Sequence, residues 1–297
     1  MPADSTPTGF LNIDKPLGMT SHDVVAQVRR ALNTKKVGHA GTLDPLASGV
    51  LVICVGSATR LSEYVMHTTK RYVARVRLGE TTTTYDAEGE VTVQRDASHI
   101  TLAQIEAVLP QFLGDIEQRP PIYSAIKKGG RKLYELARKG ETIELEPRPV
   151  HIAALTFRNF EAPEFDLEVT CGSGTYIRSL AHDLGEVLGV GAHLRGLVRT
   201  ASGVFSLEEA VSLETLRQSP DAVHYLLPLE TALAGWPTVQ LTVDQVADVL
   251  QGRYLPADPE TPNEMLSRAV SPDGQTVGLL IATAGRWKPH KVLAVES

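Results

Sequence analysis

The sequence predicts a two-part protein of mixed strands and helices, and three observations carry that expectation. Segments such as RYVARVRLGE alternate apolar and polar residues with the period of a half-buried strand. TSHDVVAQVRRALN and GTYIRSLAHDLGEVLG repeat apolar residues at helical spacing. The character changes at Trp236–Pro237, beyond which one amphipathic stretch and the short runs VGLLIAT and KVLAV suit a small β-rich module, such as a compact barrel. Strands and helices in alternation admit either an α+β or an α/β arrangement, and periodicity does not choose between them.

Taken in order, GFLNIDKP reads as a strand ending at Pro16. A helix follows, started by a capping-box pair, Thr20 and Asp23, with Val24, Val25, Val28, Ala31 and Leu32 on its apolar stripe. Next come a strand, a turn around Asp44, a strand over 51–55 and a brief helix over 60–65. The strand RYVARVRLGE places Tyr72 near its start, and the polar GETTTTYDAEG is a loop leading to a strand near 91–93. A helix over 102–109 precedes the loop RPPIYS. Strands over 150–158 and 165–171 then lead into a glycine-rich turn, GSGTY. That turn opens a helix with Ile177, Leu180, Ala181, Leu184 and Leu188 on one face, Arg178 and Asp183 off it, and Tyr176 in its first turn. The last helix is expected around 243–250.

Length and composition are those of an ordinary globular protein: 297 residues, 42% hydrophobic and 22% charged. MPADSTPTGF has neither a basic leader nor an apolar core, and no run approaches membrane-spanning length, so a soluble, cytoplasmic protein with no membrane partner is expected. Cys54 and Cys171 sit in separate apolar runs and read as buried free thiols. The formal net charge of −6 argues against nonspecific coating of nucleic acid. Charge is nonetheless local. In KKGGRKLYELARK, Lys127, Lys128, Arg131, Lys132, Arg138 and Lys139 face only Glu135, with Tyr123 and Tyr134 interleaved, a composition that suits an RNA backbone with unstacked bases as well as a solvated helix face.

Familiar cofactor motifs are missing. There is no GxxxxGK[ST] loop, no GxGxxG after a strand, no HExxH and no CxxC, so neither a nucleotide cofactor nor a metal is expected. Polar islands remain. In VGHAGTLDPLASGVL, Asp44 lies in a turn flanked by Gly38, Gly41 and Gly49, and Pro45 restricts its backbone. On local grounds an Asp-Pro pair is a turn initiator; it is also a way to aim one carboxylate from a rigid loop.

The islands DKPLGMTS, GHAGTLDPLASGVL, KRY at 70–72, GETTTTYDAEG, RPPIYSAIKK and GTYIR, in this order over most of the first 200 residues, resemble the TruB-type pseudouridine synthases, which act on the T-loop uridine of tRNA. GTLDPxAxGVL is the most specific, and GxxTxTxDxxG over 79–89 and PPxxSAxK over 120–127 support it. The resemblance implies an α+β pseudouridine synthase fold, with a mixed, mainly antiparallel sheet and flanking helices. It implies a catalytic domain over 1–236 carrying an RNA-gripping insertion near 118–146, and a PUA-like RNA-binding domain over 237–297. Asp44 would be the catalytic aspartate, Tyr72 would stack on the target base and Arg178 would pair with Asp44. His39 would contact the displaced nucleotide, Tyr176 and Leu197 would line the pocket, and Lys15 would support the site or the RNA backbone. Lys127, Lys128, Arg131 and Lys132 would grip the RNA. The family commonly carries two arginines where this chain has Val198 then Arg199, a departure that bears on a phosphate contact and not on catalysis.

The implied reaction, conversion of uridine 55 to pseudouridine, breaks a C–N bond and forms a C–C bond to the same sugar. It exchanges no electrons and adds no atoms, so the resemblance implies no cofactor and no metal. The implied partner is tRNA, through its T arm, with the enzyme a monomer needing no protein partner. Burial alone would raise the pKa of Asp44, and a bidentate Arg178 is expected to keep it charged and aimed.

Overall fold

The computed structural model describes residues 7–122, 127–128, 131–132 and 145–293. Chain order gives β1 (Gly9–Lys15), β2 (Val37–His39), β3 (Ala47–Val55), β4 (Lys70–Leu78), β5 (Glu80–Thr82), β6 (Val91–Gln94), β7 (Gly114–Gln118), β8 (Lys127–Lys128), β9 (Arg131–Lys132), β10 (Arg148–Glu161), β11 (Glu164–Cys171), β12 (Ala192–Ser202), β13 (Phe205–Ser206) and β14 (Val211–Ser212). Among the described residues one ten-stranded sheet runs β14–β1–β3–β12–β4–β11–β10–β7, with β2 added on β3 and β13 on β12. Only β1–β14 and β3–β12 pair in parallel; the other pairings in this sheet are antiparallel. The sheet is therefore mixed and mainly antiparallel, and the arrangement is α+β.

The expected first helix is present as Ser21–Ala31, and Thr20 and Asp23 form the full capping box. Its residues Val24, Val25, Val28 and Leu32 pack on Leu11, Ile13, Leu51 and Ile53 of β1 and β3. The second amphipathic helix, Ile177–Val187, packs Ile177, Leu180, Ala181 and Leu184 on Ala74, Val76, Leu167 and Val169 of β4 and β11. Both helices cover one face of the sheet. Tyr72 and Leu197 contact both apolar clusters, so a cleft opens between the helices over β3, β12 and β4.

Central strand β12, with Gly196 and three arginine or histidine side chains in AHLRGLVRTAS, has neither period-two alternation nor a continuous apolar run, and its pattern gave no strand expectation. Its pairing supplies what pattern does not. Register aligns Lys15 with Gly49, Gly49 with Arg199, Arg199 with Tyr72 and Tyr72 with Val169, so one row across the sheet carries Lys15, Arg199 and Tyr72 to the cleft face. Gly49 is required in that row. Its φ is +94°, and a Cβ there would lie 2.3 Å from the Arg199 carbonyl oxygen. Other differences are smaller: β3 starts at Ala47, the loop after Gly79 opens with a short strand paired to β6, and β7 was not anticipated.

On the opposite face Phe10, Val50, Val52 and Cys54 form a third cluster with Leu279 and Leu293 of the C-terminal region. That region has its own five-stranded sheet, Thr238–Gln240, Leu255–Pro256, Leu266–Val270, Thr276–Thr283 and Arg286–Val292, with the helix Val243–Leu250 against it. Lys291–Glu63 at 2.7 Å and a hydrogen bond from Arg60 to the Val292 carbonyl add to the contact. Cys54 and Cys171 are buried and unpaired. No helix of the described residues is long and apolar enough to cross a membrane.

Candidate active site

A cavity of about 300 Å³ sits in the cleft, lined among others by Asp44, Lys70, Tyr72, Tyr176, Arg178, Leu197 and Arg199. The loop that carries Asp44 is pinned from several sides. Ser21, at the first position of its helix, accepts from Leu43 N at 2.9 Å and donates to Leu43 O at 3.0 Å, while Gly18 N donates to Pro45 O at 2.9 Å. The fully buried Arg199 guanidinium donates to Gly41 O at 3.1 Å and to Val50 O at 2.6 Å. A loop tied by side chains on two different elements and by the backbone of Gly18 holds its carboxylate without needing a helix or strand of its own.

Arg178 is equally fixed. The Gln118 amide bonds both ends of the Tyr176 peptide unit, accepting from its N–H at 2.8 Å and donating to its carbonyl at 3.0 Å, which sets the start of the helix. The Arg178 guanidinium then reaches Asp44 at 3.0 Å and Asp86 at 3.2 Å, and it also donates to Thr84 O at 3.4 Å. Although Arg178 lies off the apolar stripe, it is buried, because two carboxylates offset its charge.

Asp44 is recessed in the cavity floor, yet 44% of its side chain stays accessible. Burial of the charged form is the leading influence and raises its pKa above the ordinary carboxylate value; Asp86 adds to that, and Arg178 and Lys15 oppose it. The guanidinium expected to keep Asp44 charged and aimed does meet the carboxylate at 3.0 Å and opposes the upward shift, although burial outweighs it in setting the direction. Burial likewise pushes the Tyr72 hydroxyl up, with the Arg199 guanidinium opposing.

The cavity thus brings together Asp44, Tyr72, Tyr176, Arg178 and Leu197. Two other residues lie elsewhere. Lys15 is fully buried behind the cavity, its ammonium donating to Met19 O at 2.7 Å and Pro16 O at 3.0 Å, a placement that supports the site and gives RNA no access to it. His39 lies on β2 with its ring edge-on to His22 at 5.5 Å, and burial lowers its pKa to about 4. Lys127 and Lys128 of β8 pair with Lys132 and Arg131 of β9, and the side chains of all four lie outside what the structure describes. Sequence reasoning overlooked Asp86, Lys70 and the structural use of Arg199. The signal for Asp86 was its place in TTTTYDAEG, where threonines flank an acid able to accept from their hydroxyls: Thr84 Oγ1 donates to Asp86 at 2.5 Å.

Family models match along the chain. The TruB family pseudouridylate synthase N-terminal domain matches residues 29–177, the tRNA pseudouridylate synthase B C-terminal domain residues 178–234, and the tRNA pseudouridine synthase II C-terminal model residues 236–294. The chain belongs to the TruB family. Among curated relatives, tRNA pseudouridine synthase B of Symbiobacterium thermophilum is 51% identical over 253 residues, covering 84% of each chain. Its namesake in Pseudomonas aeruginosa (strain UCBPP-PA14) is 43% identical over 293 residues, covering 96% of each. Among solved structures, an H/ACA RNP bound to a substrate RNA containing 2'-deoxyuridine has a chain with TM-score 0.74 and 27% identity, over 97% of this chain and 85% of that one. A Cbf5-Nop10-Gar1 complex gives TM-score 0.73 at 29% identity, over 98% and 84%. The fold is that of the pseudouridine synthases, and the TruB family's chemistry is the frame for the cavity.

Proposed function

We propose that the chain converts a uridine of tRNA, uridine 55 of the T loop, to pseudouridine. The observation that carries this reading is the Asp44–Arg178 pair at 3.0 Å in a cavity walled by Tyr72 and Tyr176, in a chain with relatives named for that reaction. The target base leaves its stack and enters the cavity, at a cost of a few kcal/mol. Stacking on Tyr72, worth about 1–3 kcal/mol for a base on an aromatic ring, offsets that cost, and Tyr176 and Leu197 fill the walls. His39, beside the Asp44 loop, contacts the displaced nucleotide.

Asp44, ionised and held by Arg178, acts on the bound nucleotide as nucleophile or base. The C1'–N1 bond breaks, the uracil turns within the cavity, and C5 bonds to C1'. The C5 proton leaves and N1 gains one, so atoms and electrons balance without a cofactor. Residues 1–236 form the catalytic domain in this reading, with the insertion near 118–146 gripping the T arm through Lys127, Lys128, Arg131 and Lys132. Residues 237–297 act as a PUA-like RNA-binding module, for which the exposed Tyr254, Arg286 and Lys288 offer a ring and two cations. The enzyme acts as a monomer.

The test is incubation of the protein with unmodified tRNA, with no metal or nucleotide added, followed by mapping of pseudouridine. Product at position 55 is expected. Binding without product would leave an RNA-binding protein and overturn the reading.

A further inference from the structure

Outside the cavity lining, one pair of side chains combines an unusual backbone conformation with close ring contact. Tyr85 has φ +63°, in the left-handed region that residues other than glycine, asparagine and aspartate seldom occupy. Its ring lies on that of His182, with centroids 3.9 Å apart and planes within 8°. The half-buried His182 has its pKa lowered by burial, so two neutral rings stack, and its Nδ1 has no hydrogen-bond partner among the described residues. Strain of this kind persists where surroundings over-determine it.

The neighbours explain what is being determined. Arg178 and His182 stand one turn apart on a single helix, and Tyr85 and Asp86 are consecutive in the loop facing it. Arg178 meets Asp86, and His182 meets Tyr85. The loop is also tied to β12, where Leu194 N donates to Tyr85 O and Ala87 N donates to Leu194 O, both at 3.0 Å. Those bonds tie the loop to β12; the ring stack, the Arg178–Asp86 ion pair and the Arg178 hydrogen bond to Thr84 O tie it to the helix, and Thr84 Oγ1 and Glu88 N also donate to the Asp86 carboxylate. We infer that the Tyr85–His182 stack is a positioning device that seats Asp86 against Arg178, and so holds Arg178 in line with Asp44. Neither ring touches substrate.

The inference rests on the proposed reaction, and its test separates the two. Single-turnover pseudouridine formation and tRNA affinity are measured for wild type, Tyr85→Phe, Tyr85→Gly, His182→Phe and His182→Ala. Tyr85→Gly relieves the backbone strain and removes the ring, so it should fold well yet lose about tenfold in rate, with affinity within about threefold. His182→Ala should do the same. Both phenylalanine variants keep a ring and should stay within about twofold of wild type. In an Asp86→Asn background, Tyr85→Gly should add little, because both changes loosen one contact. If Tyr85→Gly does not fold, His182→Ala decides by the same split between rate and affinity. Unchanged rates in folded glycine and alanine variants would overturn the inference while leaving the reaction intact, as would a parallel loss of rate and affinity. A wild-type protein that makes no pseudouridine would overturn the reaction and the inference together.

Discussion

Two buried arginines face the same cavity and are bound in opposite ways. On the helix wall Arg178 contacts two carboxylates, Asp44 and Asp86, and its charge is more than matched. On the strand wall Arg199 has no carboxylate partner among the described residues; it donates to the carbonyl oxygens of Gly41 and Val50 and to the Tyr72 hydroxyl. Lys70 beside it is similar: its ammonium donates to the carbonyls of Met66 and Thr68, with no carboxylate partner among the described residues. The first wall handles charge at Asp44, the carboxylate proposed to react. The second fastens backbone, and its unmatched positive charge spreads to its neighbours, opposing protonation of Lys15, His39 and Lys70 and offsetting the burial of the Tyr72 hydroxyl. Lys70 is brought down to about 8, with burial the larger cause.

The largest effect that separates the walls is expected at Asp44 itself. Asp44→Asn keeps the size and the loop contacts but removes the charge that Arg178 serves. Turnover should fall by at least about 10³-fold, with folding and tRNA affinity close to wild type. Residual activity near the wild-type level, measured as pseudouridine formed in a single turnover, would remove Asp44 from the chemistry.

How far this division was legible in the sequence depended on whether the signal was local. The capping box at Thr20 and Asp23, the stripe of Ile177–Val187 and the strand at Tyr72 follow from spacing, and all three formed as read. Strand β12 did not announce itself, because its buried arginine and its glycine contradict apolar alternation and its stability comes from partners on both sides. Lys15 shows the same limit: a lysine at the end of a strand gives no hint that two carbonyls will enclose its ammonium. Asp44 and Arg178 were found together only through the motif resemblance, since more than a hundred residues separate them in sequence.

Next in size is Arg178→Met, which should lower the single-turnover rate by about 10²-fold, the scale of one lost preorganised charge contact. It should also leave a signature in pH. The acid limb of kcat/KM should already lie above the ordinary aspartate value in wild type, since burial raises Asp44 and the proposed reaction needs it ionised. Without Arg178 to oppose that shift, the limb should move further up. A limb that stays in place would show that the ion pair aims the carboxylate without tuning it.

Arg199→Met should read out differently, as stability. Two backbone carbonyls lose their donor, and a buried unsatisfied acceptor costs about 1–3 kcal/mol, part of it recovered by the methionine's packing, so a net loss of about 2 kcal/mol is expected. For a chain of 297 residues that corresponds to a fall in melting temperature of roughly 3 °C. Equal stability with a large fall in rate would place Arg199 with Arg178 and erase the distinction between the walls.

The smallest effect concerns His39, which is held neutral by burial first and then by His22 and Arg199. Its folded value of about 4 lies below the ordinary 6.5, so the contribution of its neutral ring to stability is complete above pH 6.5. It is lost progressively as pH falls from there toward 4, because the unfolded chain takes up the proton first. Between pH 7.5 and 5.5 the wild type should lose about 1 kcal/mol that a His39→Gln variant does not lose. Urea unfolding of both proteins at the two pH values isolates this difference, since every other titrating group is common to them. Adding Arg199→Met should shrink it, because removing a neighbouring cation lets His39 accept a proton more readily in the folded state. If the difference is unaffected by Arg199, the field of the strand wall does not reach β2, and His39 is kept neutral by burial and His22 alone.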